Sequence, residues 1–267
     1  MIPAEPSASS VPGARLSATI LLLRSGEAGL EVFMVVRHRA IDFASGALVF
    51  PGGALEPDDR DIAEAETSAR DGRAHDVEAV RVAAIREAFE ESGILLARRR
   101  GEADMLGTAA MAAIRERHRA ELLEGRLSFA AMIAAEDLRL ATDMLVPFAH
   151  WITPVASPKR VDTHFFLADL PDGHVGSHDG LETVDSLWIS PSQAISDAQA
   201  GRFSLVPATR LNLEKLSRSG SPEDALAAAG ASPIVTVLPE LVGELKAGHG
   251  RIRIPAESGY GGTEFDF

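Results

Sequence analysis

The sequence predicts an α/β sandwich on a mixed sheet. β-rich runs alternate with helical stretches along most of the chain, the order that layers helices over strands. Apolar residues make up 46% and charged residues 24% of the 267 positions, which suits a globular chain able to bury a sizeable core. Nothing in the sequence repeats, and the length fits one large domain or one domain with additions.

In chain order, residues 1–13 form a loose Pro/Ser/Ala tail. Ala18 to Leu23 and Glu31 to His38 read as neighbouring strands, split by the turn signal RSGEAG, and GALVF (Gly46 to Phe50) as a third. Residues 60–77 are polar and aperiodic, which predicts a surface loop. A helical period then runs from Val77 to Ala97. Residues 102–140, rich in Ala, Leu, Glu and Arg, predict helices over Asp104 to Glu124 and Ser128 to Glu136. LVPFAHWITP and VDTHFFLADL follow as strands, joined by VASPKR, and SHDGLETVD is a loop leading into the strand SLWIS. The next helix has Ser190 as its N-cap, Pro191 at its first position and Gly201 at its close. Helices near Thr209 to Ser217 and Pro222 to Ala229, then short strands around Ile234 to Leu238 and Arg251 to Ile254, complete the chain.

The formal charge of −13 argues against a protein that grips nucleic acid by neutralising many phosphates. A phosphate-bearing substrate would need bound cations to offset that repulsion. With no cysteine there are no disulfides or thiolate zinc sites. No stretch approaches 18 uninterrupted apolar residues, so no membrane span is expected. The N-terminus lacks a basic region followed by an apolar core, and a cytoplasmic location is the default expectation.

The chemistry concentrates in REAFEESG, Arg86 to Gly93. On a helix turning about 100° per residue, Glu87, Glu90 and Glu91 fall at roughly 0°, −60° and +40°, one shared face. Val82, Ile85, Phe89 and Leu96 land between roughly 160° and 220°, the opposite, apolar face. Carboxylates at i and i+4 repel, and a hard divalent cation is the natural compensation. In isolation such a pattern is only a solvated acidic face. His164, alternating with apolar neighbours in DTHFF, reads as a packed strand residue.

Arg86 to Ile94, together with FPGG (Phe50 to Gly53), resembles the Nudix box G-x5-E-x7-R-E-U-x-E-E-x-G-U, with U apolar, Gly53 as the box glycine and Ala88 a small choice at the first U. The box is interrupted. Gly53 to Glu78 spans 25 positions where the pattern has 6, so 19 extra residues lie inside it, and both Asp59 and Glu78 could supply the first acid. Asp59 lies nearer the turn. An interrupted box, with AAIREAFEESGILLA, WITPVASPKRVDTHFF and HDGLETVDSLWISPSQAI, is similar to the coenzyme A diphosphatase subgroup of Nudix hydrolases over roughly residues 14–215.

The resemblance implies a Nudix-type α/β/α sandwich over residues 14–215 with a mixed sheet, a box insertion at about 60–77, a helical insertion at about 102–140, and a C-terminal extension, 216–267, packed on the domain. It implies hydrolysis of a small-molecule diphosphate with Mg²⁺ or Mn²⁺ held by Glu87, Glu90, Glu91 and the Gly53 carbonyl. Arg86 would orient a carboxylate, Gly93 would end the helix in a left-handed turn, and Glu182 would serve as base or further ligand, with Asp179 and Asp185 as rivals. GALVFPGG matches the downstream half of a motif of coenzyme A-cleaving members. The upstream half is present only as MVVRHR, where Arg37 fits and His38 stands in place of Ser. Arg37, Arg39, Lys159 and Arg160 are the candidate phosphate contacts. Arg98 to Arg100 are expected to end the helix and complement its dipole. A catalytically silent nucleotide-binding regulator is the alternative, and it would be expected to lose box carboxylates. Sequence leaves the oligomeric state open.

Overall fold

The computed structural model describes residues 12–27, 29–37, 46–67, 74–170, 176, 183–246 and 249–267. Its elements run β1 (Arg15–Gly26), β2 (Gly29–Arg37), β3 (Leu48–Val49), β4 (Gly52–Ala54), α1 (Pro57–Thr67), α2 (Ala74–Ser92), β5 (Ala97–Arg99), α3 (Thr108–Leu123), α4 (Phe129–Ala135), β6 (Leu138–Leu140), β7 (Val146–Ile152), β8 (Val161–Asp169), β9 (Thr183–Ile189), α5 (Pro191–Gln199), α6 (Pro207–Leu216), α7 (Pro222–Gly230), β10 (Thr236–Val237), β11 (Glu240–Lys246), β12 (His249–Arg253) and β13 (Glu264–Asp266).

One eight-stranded sheet organises the molecule, in the order β10-β7-β8-β1-β2-β3, with β4 also paired to β1 and β9 to β2. The pairs β1·β8 and β10·β7 are parallel and the rest antiparallel, so the sheet is mixed. Alternation along β1 sends Ala18, Ile20 and Leu22 into one core cluster and Leu21 and Leu23 into the other. The first cluster holds Val82, Ile85 and Phe89 of α2 with residues of α1, α3 and α4. The second holds residues of α5, α6 and α7 with Val237, Ile252 and Tyr260. Helices therefore cover both faces, and the chain folds as the expected α/β/α sandwich. No helix among the described residues is long and apolar enough to cross a membrane.

Three local expectations are corrected. Residues 60–77 are not simply a loop, because α1 occupies Pro57–Thr67 and α2 begins at Ala74. The helix α1 escapes notice because it buries only a narrow stripe, with Ile62 and Ala63 in the core. The helix α2 stops at Ser92, although apolar residues continue. Gly93 takes φ +71, a left-handed conformation that costs glycine little, and its N–H donates to Phe89 O at 2.8 Å. Ile94, Leu95 and Leu96 are buried beyond the helix. Arg98 to Arg100 accordingly do not cap α2. Arg98 lies in β5 and donates to both carboxylate oxygens of Asp143, at 2.5 and 2.9 Å. Smaller shifts place α3 four residues later than Asp104 and shorten the third strand to Leu48–Val49. The strands β11 and β13, to which the sequence reading assigned no element, form a three-stranded sheet with β12.

Candidate active site

The strand β4 and the helix α2 are brought together by β1, which pairs Ala18 with Gly53 and packs beneath the helix. The fit requires glycine. A Cβ built on Gly53 would lie 2.3 Å from Glu87 Oε1, so the backbone of the Pro-Gly-Gly corner sits directly against a helix carboxylate. The glutamate face is also more enclosed than an amphipathic reading implies: Glu87 and Glu91 are buried and Glu90 is half-buried.

At the centre lies Arg86, 2% exposed. It donates from Nε and Nη2 to Asp59 Oδ1 and Oδ2 at 2.9 and 3.0 Å, a bidentate pair. Its Nη1 donates to Glu87 Oε1 at 2.7 Å and Glu90 Oε2 at 3.0 Å, and Nη2 also reaches the Ala54 carbonyl at 2.9 Å. Asp59, in the first turn of α1 and fully buried, further accepts from the Glu56 N–H at 2.8 Å. Of the two candidates for the first acid of the box, Asp59 is thus the one at the site. Glu78 instead takes a hydrogen bond from the Thr142 hydroxyl.

Three carboxylates share this one guanidinium. Burial pushes Glu87 up to about 7, opposed by Arg86 and reinforced by Glu90. Glu90 is raised too, first by burial, with Arg86 opposing. Burial disfavours the Arg86 cation, but Asp59, Glu87 and Glu90 together hold it firmly protonated. The donor chemistry suits a hard divalent cation: carboxylate oxygens gathered around one arginine, more negative charge than that arginine offsets, and a backbone held against Glu87 with no side chain between.

The last turn of α2 is held from outside the box. Arg119 of α3 donates from Nε and Nη2 to the Glu90 carbonyl at 3.0 and 2.8 Å, a contact absent from the sequence reading because 29 residues separate the partners.

Next to the Gly52–Ala54 strand opens a pocket of about 530 Å³. Its walls include Trp151 and Phe165 of the sheet and Leu241, Ile252 and Phe267 from the chain's end, while Arg15 and Arg37 bring positive charge. Arg15 had no motif to flag it. Lys159 and Arg160 are not brought to this wall; the Arg160 guanidinium donates to Thr153 O and Pro12 O, each at 3.1 Å. Arg39, His38, Asp179 and Glu182 lie outside the described residues, and Asp185 is exposed on β9.

Comparison with known proteins agrees with this architecture. The family model described as the NUDT19 Nudix domain matches residues 61–216, more than half of the chain, and the chain belongs to the Nudix hydrolase family. Among its relatives is human "Acyl-coenzyme A diphosphatase NUDT19", 31% identical over 157 residues, covering 55% of this chain and 41% of that protein. The Xenopus laevis protein of the same name is 26% identical over 227 residues, covering 70% and 59%. The chain spans about half the length of the curated relatives it matches. The crystal structure of a Nudix hydrolase from Alicyclobacillus acidocaldarius superposes with a TM-score of 0.68 at 29% identity, covering 80% of this chain and 96% of that one.

Proposed function

We propose that the chain hydrolyses the diphosphate of coenzyme A or a short acyl-coenzyme A, using Mg²⁺ or Mn²⁺ held by Glu87, Glu90, Glu91 and the Gly53 carbonyl. The observation that carries this reading is the buried arginine shared by three carboxylates beside the Gly53 backbone, a backbone that also lines a pocket with apolar walls and two arginines. When bound, the divalent cation supplies electrophilic polarisation of the phosphate and a more acidic water. Arg86 fixes the orientation of Glu87 and Glu90 and opposes the effect of burial, which raises both carboxyls. Glu182 stands as the acceptor of the water's proton on sequence grounds alone. Arg37 and Arg15 hold substrate phosphate, and Trp151, Phe165 and Leu241 take the less polar end. Attack of water on one phosphorus breaks the P–O–P link, giving adenosine 3′,5′-bisphosphate and a phosphopantetheine product. The names of the human and Xenopus relatives support this substrate class. A cytoplasmic location and a domain division at about residue 215 belong to the same reading.

The test is a substrate panel of coenzyme A, NADH, ADP-ribose and diadenosine polyphosphates with Mg²⁺. Preferred cleavage of coenzyme A supports the proposal, and preference for another member retracts the substrate. No turnover on any of them, with the glutamates intact, favours the silent nucleotide-binding regulator.

A further inference from the structure

A second buried cluster lies on the α2 face of the sheet, beside the strand that carries Ala18. In β7 and β8, His150 pairs directly with His164 and Ile152 with Asp162, so Asp162 and His164, two residues apart, project on the same face as His150. The imidazoles stack with centroids 4.1 Å apart and planes at 22°. His150, Asp162 and His164 are 4%, 1% and 8% exposed.

Hydrogen bonding accounts for only part of this cluster. His150 Nδ1 meets Thr236 Oγ1 of β10 at 2.8 Å, and His150 Nε2 meets Asp162 Oδ1 at 2.5 Å. Asp162 Oδ2 and His164 Nε2 are buried with no hydrogen-bond partner among the described residues. An unsatisfied buried polar group costs roughly 1–3 kcal/mol, more when charged, so two in one cluster call for a missing partner. One donor atom from each of the three residues can be chosen so that all lie within 4.8 Å of one another.

We propose that His150, Asp162 and His164 form a second cation site, chemically distinct from the carboxylate site, that takes a borderline transition-metal ion such as Zn²⁺. Two imidazoles and one carboxylate are donors that Zn²⁺ accepts readily and Mg²⁺ does not seek, because Mg²⁺ prefers oxygen ligands. Donors around tetrahedral zinc sit at about 2.0–2.2 Å from the metal, in the plane of each imidazole, so the stacked rings must swing apart for both nitrogens to converge on one ion. Binding would separate His150 Nε2 from Asp162 Oδ1 and give both unpartnered atoms a ligand. Thr236 plays the orienting part, fixing the His150 ring from its far nitrogen. Ala18 pairs with Gly53 on one side and with His164 on the other, which puts this site two strand spacings, about 10 Å, from the Gly53 corner. An ion there would tie β7 to β8 and, through Thr236, to β10. The proposed role is structural and independent of the hydrolytic reading.

The experiment measures zinc bound per chain after dialysis of the full-length protein, with unfolding temperature as a second readout. Because Zn²⁺ could also occupy the glutamates, the background is the triple variant Glu87→Gln, Glu90→Gln, Glu91→Gln. The proposal expects this variant to retain one equivalent of zinc and to gain several degrees of Tm from micromolar Zn²⁺, but none from Mg²⁺. Adding His164→Leu should abolish both effects while leaving a folded metal-free protein, since leucine removes an unsatisfied buried nitrogen. Should either variant fail to fold, the unmodified protein loaded with Co²⁺ decides: strong visible absorption of a four-coordinate, nitrogen-bearing site supports the proposal. Only the faint colour of six-coordinate oxygen ligation overturns it. It is likewise overturned if the triple variant holds no zinc, or if His164→Leu leaves zinc binding unchanged.

Discussion

The α2 cluster and the β7–β8 cluster both bury ionisable side chains against the same sheet, and they differ in what balances the charge. Around α2 the chain supplies its own cation: Arg86 makes a bidentate pair with Asp59 and reaches Glu87 and Glu90 with its remaining hydrogens. Between β7 and β8 the only partner that Asp162 has among the described residues is an imidazole, and His164 Nε2 has none. An arginine is permanently charged, so it can hold carboxylates in place whether or not a ligand is bound. A histidine pair can switch between neutral ligand and hydrogen-bond donor, so its cluster is completed from outside. The first arrangement is preorganised and the second is conditional.

Breaking the internal cation should have the largest effect. Arg86→Met leaves Asp59, which is fully buried, without its partner, and removing one member of a buried ion pair costs about 3–5 kcal/mol. Urea unfolding measures this, and a loss under about 1 kcal/mol would show that the network does not hold the site together.

The two clusters should also answer pH in opposite directions. Glu87 is pushed from 4.5 up to about 7, so across that window the metal-free folded chain holds a proton that the unfolded chain has released, and stability falls as pH rises. His164 is pushed from 6.5 down to about 4, first by burial and then by His150, so the unfolded chain binds the extra proton and stability falls as pH drops. The opposed slopes partly cancel in the wild type. Urea midpoints between pH 5 and 7 in chelator should tilt towards higher stability at high pH in Glu87→Gln and the other way in His164→Gln, and equal profiles in all three proteins would refute both assignments.

A smaller effect separates substrate from site. A charge-assisted contact to phosphate contributes roughly 1.5–3 kcal/mol, so Arg37→Ala should lower kcat/KM on coenzyme A about ten- to a hundredfold. If Arg37 reads the 3′-phosphate, dephospho-coenzyme A should be affected much less. Equal losses on both would move Arg37 to the diphosphate itself. Gly53→Ala sharpens the comparison from the backbone side. The added Cβ must displace Glu87, at a cost of about 1–3 kcal/mol, and metal affinity should fall with activity. Unchanged Mg²⁺ affinity would show that the close approach does not matter.

The same contrast explains what could be read from the sequence. The glutamates of α2 and the glycines of β4 were legible because local periodicity and a spaced motif report them, and the apolar Val82, Ile85 and Phe89 stripe was legible for the same reason. Asp59 could be named only as one of two acids, since the 19-residue interruption folds partly into α1 and the choice depends on a contact with Arg86 across 27 positions. His164 looked like an ordinary strand residue because its partners, His150 and Asp162, are set by strand register, which sequence does not display. Arg15, Arg119 and the end-of-chain walls of the pocket were invisible for the same reason: each acts across a long separation.

In the proposed function the carboxylates of α2 carry a metal-dependent diphosphate hydrolysis. The most direct test is the turnover of coenzyme A by wild type, Glu90→Gln and Glu91→Gln, each at saturating Mg²⁺ and in chelator, with products identified. Adenosine 3′,5′-bisphosphate is expected from the wild type only when the metal is present. Turnover is expected to be at least about a hundredfold lower in each variant with the fold intact, because losing a ligand charge removes stabilisation specific to the transition state. Near wild-type rates in both variants, or undiminished turnover in chelator, would contradict the proposed function.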